Sequence, residues 1–300
     1  MNDLTVVIIA FNESQHIERS VKSAFKVAAK VLVVDSLSTD DTVEKAKYLG
    51  AKIVTNTFVN HASQLNFGLK HEYVDTKWVM KLDADEYLLD ELVLEINDRL
   101  PKLNNEINGI YIKRRVFFMD RWIKNGSYYP IWLLRIWKNG EGFSEQRWMD
   151  EHVKLDQPKT IKLEHDFVDE NKNTLTHWTD KHNHYATKEA IELLNYQFNF
   201  FNLESVEPNL FGSQEQRKRW LKIKYANLPL FLRPFLYFFY RYFIKFGFLD
   251  GKSGLVWHFL QGFWYRFLVD AKIFDIKRRA KNNNKDVLDV LKDEYGVKFE

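Results

Sequence analysis

The chain has 300 residues, 45% of them apolar and 16% aromatic, with a net charge of +3. That is enough apolar material for a sizeable core, arranged as one large domain with an appendage or as two smaller domains. Cysteine is absent, which excludes disulfides, thiolate metal sites and a cysteine nucleophile, and fits a reducing compartment.

The first hundred residues alternate short β-branched runs with longer amphipathic ones, the pattern of parallel strands joined by helices. The N-terminal MNDLTVVIIAFNES starts directly on a strand-like run, so no signal peptide is expected and the protein is expected to work in the cytosol. Strands are predicted at 5–10, 31–35, 52–55 and 78–83. Between the first two, Ile17, Val21, Ala24 and Ala28 recur at helical spacing, with Asn12 or Ser14 placed to cap the helix. Further helices are predicted at 41–49, 61–73 and 89–100. From 109 to 163 the pattern turns strand-like and irregular, and reads as the edge of a mixed sheet with active-site loops.

Residues 174–203 read as helical, and Pro208 with Gly212 breaks the chain before a basic region. There, residues 216–281 carry 15 Lys and Arg against 3 Asp and Glu, a surplus of 12 that leaves −9 on the rest. Such a split predicts different partners for the two parts, with an anionic surface for the basic one. Two aromatic segments, 228–249 and 254–274, approach the length of a membrane span. The first is interrupted by Arg233, Arg241 and Lys245, the second by His258, Arg266, Asp270 and Lys272, which disfavours spanning. His258, Gly262, Arg266 and Asp270 fall four apart, one polar stripe on an otherwise apolar helix, as expected for a helix lying in the membrane interface. A soluble helical subdomain or an oligomer interface is the alternative. The expected organisation is a catalytic domain over 1–205, a helical basic region over 206–281 and a tail over 282–300.

Candidate chemistry falls at predicted strand ends, where ligands bind in open α/β sheets. Asn12 and Glu13 follow the first strand, Asp35 ends the second, and LDADE places Asp83 and Asp85 after the fourth. Gln64 and Asn66 lie at a helix start near the third. A D-x-D pair suits a hard divalent cation, Mg²⁺ or Mn²⁺, whose remaining ligands come from a nucleotide diphosphate and water. Taken singly, these residues also read as caps or solvated positions. No G-x-G-x-x-G follows the first strand and no G-x-x-x-x-G-K-[ST] occurs, so dinucleotide and P-loop devices are missing.

FNES, VVDSLSTDDT, NHASQLNFGL and LDADE, in this order, resemble glycosyltransferase family 2, the inverting enzymes of GT-A fold. HWTDKHNHYATKEA at 177–190 looks closest to the branch of lipopolysaccharide-core glucosyltransferases and related surface-polysaccharide enzymes. The resemblance implies a Rossmann-like mixed sheet with helices on both faces, followed here by the helical, aromatic, basic region. It also implies a nucleotide-sugar donor, most simply UDP-linked, with Asn12, Glu13 and Asp35 on its uridine half and Gln64 and Asn66 nearby. By the same resemblance Asp83 contacts the ribose or a metal-bound water, and Asp85 ligates the metal. Arg135, Lys181 and His182 are the implied cations for the leaving diphosphate. Inversion needs a carboxylate to deprotonate the acceptor hydroxyl. RWMDEHV offers Glu151, which aligns with the glutamate of the family's His-Glu pair, and Asp150, which stands in place of the histidine.

The sequence therefore predicts a metal-dependent hexosyltransferase, peripheral on the inner face of the cytoplasmic membrane, acting on a lipid-linked or lipopolysaccharide-core saccharide. A polyprenyl-phosphate acceptor is the alternative within enzymes. A nucleic-acid-binding protein using the basic aromatic region is the alternative from another class, disfavoured because its rings lie on long Leu- and Val-bearing runs.

Overall fold

The computed structural model describes residues 2–145, 152–200, 209–212 and 214–297. By its internal contacts the chain divides into two compact units, Met1–Lys172 and Asn173–Glu300.

The first unit begins β1 (Asn2–Ala10), α1 (Ile17–Phe25), β2 (Ala28–Asp35), α2 (Thr42–Tyr48), β3 (Lys52–Thr55), α3 (His61–Leu69), β4 (Trp78–Asp83), β5 (Glu86–Leu88) and α4 (Asp90–Arg99). It continues with β6 (Gly109–Phe118), β7 (Arg121–Ile123), β8 (Ile131–Lys138), β9 (Gly142–Ser144), β10 (Val153–Leu155) and β11 (Thr160–Glu170). Among the described residues nine strands form one mixed sheet, ordered β3-β2-β1-β4-β8-β6-β11-β5, with β7 folded back on β6. The neighbours β3, β2, β1 and β4 run parallel, and β8 lies antiparallel between β4 and β6. The stretch from 109, expected at the sheet edge, is therefore interior in β6 and β8. Ile110, Ile112 and Ile136 point into the main core, while basic and aromatic residues on the other face gave these strands their edge-like composition.

Helices cover both faces, as expected. Ile17, Val21 and Ala24 of α1, Ala46 of α2 and Leu92 and Ile96 of α4 pack with Leu4, Val6 and Ile8 on one side. Leu65 of α3 packs with Val7, Leu32 and Val34 on the other. Gly68 lets α3 approach closely, since a Cβ there would lie 2.6 Å from Val34 Cγ2. The predicted cap of α1 is not realised: His16 stands at the N-cap without a side-chain bond, and the Glu13 carbonyl accepts from the His16 and Ile17 N–H groups, each at 2.9 Å.

The second unit is helical, with α5 (Leu175–Phe198), α6 (Gln214–Ala226), α7 (Leu232–Phe239), α8 (Gly251–Trp257), α9 (Tyr265–Asn282) and α10 (Val287–Tyr295). Stretches of π-type geometry at Tyr240–Ile244 and His258–Trp264 extend α7 and join α8 to α9. The sequence division near 205 is displaced, because α5 is bonded to α9. Lys272 Nζ donates to Asn183 O at 2.7 Å, and Tyr265 OH to Glu189 Oε2 at 2.6 Å. The expected tail is likewise attached, through an Arg279–Glu294 pair at 2.7 Å. Among the described residues no helix is long and apolar enough to cross a membrane.

The polar stripe of the second aromatic segment points inward. His258 and Asp270 are both 0% exposed, and Arg266 pairs with Glu189 at 2.5 Å.

Candidate active site

Strand order reverses at β1, whose two neighbours β2 and β4 lead away in opposite directions, and such a switch point opens a crevice beyond the strand ends. Asp35 pairs in register with Ala10 and Asp83 with Ile9, so the two acids flank the end of β1. With strands about 4.8 Å apart, their backbones stand about 10 Å from each other, within the span of a nucleoside diphosphate.

Asp35 is 2% exposed. Its Oδ2 accepts the Ser38 N–H at 3.0 Å, whereas Oδ1 is buried with no partner in the protein. A buried acceptor without a donor is costly unless a ligand supplies one. Phe11, next after β1, and Leu37, two residues after the end of β2, are each 55% exposed.

Asn12 adopts a left-handed conformation, φ 52°, which asparagine tolerates better than most residues. Its Oδ1 accepts the Thr39 N–H at 2.8 Å and its N–H donates to Ser38 Oγ at 2.9 Å, lacing the loop after β1 to the loop after β2. Glu13 Oε2 lies 2.5 Å from His16 Nδ1, and the Lys172 N–H donates to His16 Nε2 at 2.8 Å. With Nε2 accepting, Nδ1 must carry the proton, so the bonds fix a neutral tautomer of this fully buried ring. Sequence reasoning missed His16. Asp40, readable in the sequence as a cap of the next helix, accepts from the N–H groups of Ser14 and Thr42 at 3.1 and 3.0 Å. Burial opposes the charge of Asp40, but these bonds and the Thr42 hydroxyl hold its carboxyl below the usual range.

Gln64 and Asn66 are occupied within the protein. Gln64 is 0% exposed, donates to Ser36 Oγ and Asn56 O at 3.1 and 2.9 Å, and accepts from Asn56 Nδ2 at 3.0 Å. Asn66 exchanges two 2.8 Å bonds with the Ser144 backbone and so pins β9 to α3. Neither side chain is spread on a solvated face. Both position the elements that line the crevice, and this corrects the expectation that they sit on the donor.

The D-x-D segment is held from beneath. Glu86, fully buried beside it, accepts the Asp83 N–H on Oε2 at 2.9 Å and Arg135 Nη2 on Oε1 at 2.6 Å. Arg135 is 4% exposed, lies over the Phe167 ring at 4.5 Å and donates to the Lys81 carbonyl at 3.4 Å. Arg135, expected on the leaving diphosphate, is thus consumed in a buried ion pair beneath the motif. Burial pushes the Glu86 carboxyl above its usual range, Arg135 beside it favours the charged form, and Asp83 and Asp169 add to the rise. Asp83 keeps 35% of its side-chain exposure, and Lys81 approaches it to 3.4 Å. Desolvation opposes its charge, but Lys81, Arg135 and His61 together hold its carboxyl well below the usual carboxylate range. His61, at the start of α3, is a further neighbour that no motif reported.

Asp85 is anchored through its backbone and one oxygen. Its carbonyl accepts Arg19 Nη2 at 3.1 Å and the Glu170 N–H at 3.2 Å, and its Oδ2 accepts Asn171 Nδ2 at 3.0 Å. Arg19 is itself clamped by Glu170 and stacked on Tyr87 at 4.7 Å. Among the described residues no group of three acidic or histidine ligands closes around a cation. Two alternating, partly exposed carboxylates, one of them strongly anionic, match the way Mg²⁺ is held by one or two protein carboxylates together with substrate phosphates.

Glu151 and Asp150, the candidate bases, lie outside the described residues. At the flanks of that segment the Glu145 N–H donates to the His152 carbonyl at 3.1 Å. Trp132 lies near two lysines, Lys162 at 4.8 Å and Lys113 at 5.5 Å.

Lys181 and His182 belong to α5 in the second unit. His182 stacks on Trp178 with ring centroids 3.5 Å apart, and its Nδ1 lies 2.8 Å from the Trp178 carbonyl. Burial lowers it to about 4, against that hydrogen bond and with help from Lys181. His182 is therefore neutral at pH 7 and does not supply the positive charge expected of it.

The profile of the family described as glycosyl transferase family 2 matches residues 5–160. An uncharacterized glycosyltransferase of Rickettsia typhi is 28% identical over 291 residues, covering 94% of this chain and 90% of its own length. A second, from Rickettsia felis, is 29% identical over 291 residues, covering 94% and 93%. Among solved structures, glucosyl-3-phosphoglycerate synthase from Mycobacterium tuberculosis, in complex with Mn²⁺, UDP and glucosyl-3-phosphoglycerate, aligns at a TM-score of 0.31 and 22% identity. That alignment covers 38% of this chain and 44% of the synthase.

Proposed function

The chain belongs to glycosyl transferase family 2, and from that premise we propose that it moves a hexose from a UDP-linked donor to a saccharide carried on a lipid, with inversion at the anomeric carbon. The observation that carries the donor half is the pairing of Asp35 and Asp83 on either side of the β1 end. The unpartnered Asp35 Oδ1 takes the ring N–H of the base. Asn12 and Glu13 shape the wall through the bonds that fix their loop.

Asp85 and Asp83 are the residues that would hold Mg²⁺ or Mn²⁺, which when bound neutralises charge on the leaving diphosphate. Glu86 and Arg135 keep those carboxylates in place from below. In the single displacement, the acceptor hydroxyl oxygen bonds to the anomeric carbon as the bond from that carbon to the diphosphate oxygen breaks. The diphosphate leaves with the electron pair. The hydroxyl proton passes to a carboxylate, Glu151 or Asp150. A lipid-borne acceptor at the cytosolic leaflet accords with the basic excess of residues 216–281.

The test is a panel of nucleotide sugars added to purified protein with Mn²⁺ and read by melting temperature, since a selective ligand raises apparent stability by mass action. A shift confined to one uridine-linked sugar, lost in an Asp85→Asn variant of unchanged fold, supports the reading. Equal or absent shifts across the panel overturn it.

A further inference from the structure

Two runs of the second unit, α7 with its π-type extension and the start of the α8–α9 run, turn large apolar side chains outward, while α5, α9 and α10 bury most of theirs. Along α7 and its π-type extension, Leu232, Phe235, Leu236, Phe239, Phe243 and Ile244 recur at spacings of three and four, the stripe that ordinarily turns to a core. Here it turns outward, with exposures between 47 and 55%. The polar residues turn inward: Arg233 is 1% exposed and donates from Nε to the buried Asp270 at 2.8 Å. The run from α8 to α9 repeats the inversion, burying His258 and Asp270 while Leu255 and Phe259 stay 46 and 45% exposed. The rings form a connected surface, since Phe235 meets Phe263 at 4.5 Å, Phe263 meets Phe259 at 5.5 Å and Phe238 meets Phe259 at 6.3 Å. Phe246 and Leu249, each 58% exposed, follow in the turn before α8.

A connected apolar surface of this kind marks an interaction site. We infer that it docks into one leaflet of a bilayer bearing anionic head groups, with α7 and the α8–α9 run lying in the interfacial plane. Charge decides the occupant. The basic surplus over 216–281, part of it paired with Glu189, Glu192 and Glu294, still attracts anionic lipid, whereas a second copy meeting it face to face presents the same basic surface and is repelled. Lys245 and Lys252 are exposed within the apolar stretch, and Lys245 Nζ lies over the Tyr240 ring at 5.5 Å. Lysines so placed bury their stems and lift their ammonium groups to head-group level. The inference stands on this surface alone and does not need the transfer chemistry.

The chain lacks cysteine, so one introduced thiol reports one position. Phe243→Cys and, as a control on exposed α10, Asp289→Cys are labelled in the full chain with a polarity-sensitive fluorophore. They are mixed with vesicles of phosphatidylcholine alone or with phosphatidylglycerol. The expected result is a blue shift at 243 and none at 289, confined to the anionic vesicles and weakened by salt. A Phe239→Ser/Phe243→Ser pair, at exposed positions, is expected to lower cosedimentation with those vesicles at least tenfold with unchanged circular dichroism. No shift at 243, or an equal shift at both positions, overturns the inference. So does a shift that grows with protein concentration without vesicles, which assigns the face to a second copy, or one produced only by single-stranded nucleic acid. Donor turnover in vesicle-free solution separates the two readings: lost turnover with intact vesicle response defeats the transferase and leaves the docking surface.

Discussion

The Asp83 N–H donates to Glu86 Oε2 at 2.9 Å while Arg135 holds the other oxygen at 2.6 Å, so the acid after the D-x-D pair acts as its foundation. Removing Glu86 strands a buried guanidinium, and breaking a buried pair costs about 3–5 kcal/mol. Glu86→Ala is expected to show that loss in urea denaturation. Glu86→Gln keeps one acceptor and is expected to stay folded with Mn²⁺ affinity reduced by about 10- to 100-fold, as for other residues that orient metal ligands. Unchanged affinity, read by titration in the presence of UDP, would detach Glu86 from the motif's function.

Asp35→Asn replaces one carboxylate oxygen with an amide that donates. If its NH₂ faces the base, two donors meet, and if it faces Ser38 the existing bond is lost instead. Either way uridine nucleotide binding is expected to weaken by about 1–3 kcal/mol, the cost of an unsatisfied buried group. Calorimetry with UDP measures it. Full affinity in the variant would remove Asp35 from the base pocket.

For the proton acceptor, Glu151→Gln and Asp150→Asn are to be compared at saturating donor. The base is expected to lose kcat by about 100-fold or more with donor affinity unchanged. Two equal and mild losses would place the base elsewhere, or identify an acceptor that is already ionised, such as a polyprenyl phosphate.

His182 gives the helical unit a pH dependence of defined sign. Burial lowers it from 6.5 to about 4, so between those values the unfolded chain binds a proton that the folded chain does not. Its contribution is complete above pH 6.5 and is lost as pH falls towards 4. Discounted for partial exposure, the loss is about 2 kcal/mol. His182→Phe is expected to flatten that part of the profile, measured as the difference between the two proteins from pH 7 to 4.5. Parallel profiles would show that the ring titrates normally.

Much of the first unit was legible in the chain. β-branched runs bounded by polar turns fixed four strands, and period-3.6 patterns fixed the helices between them, because burial on one or both faces leaves a local signature. LDADE showed paired carboxylates of the kind that suits a divalent cation. The same pattern could not show that Glu86 faces inward to Arg135, a partner 49 positions away, or that Gln64 and Asn66 are consumed by Ser36, Asn56 and the Ser144 backbone. Hydrogen-bond partners distant in sequence leave no periodic trace.

The helical unit makes the same division. Periodicity by itself determined that the second aromatic segment carries one polar stripe on an otherwise apolar helix. Only the tertiary structure decided which face points out. Arg233 with Asp270 and Arg266 with Glu189 find buried partners, so their charges are satisfied inside, and the rings are left on the surface.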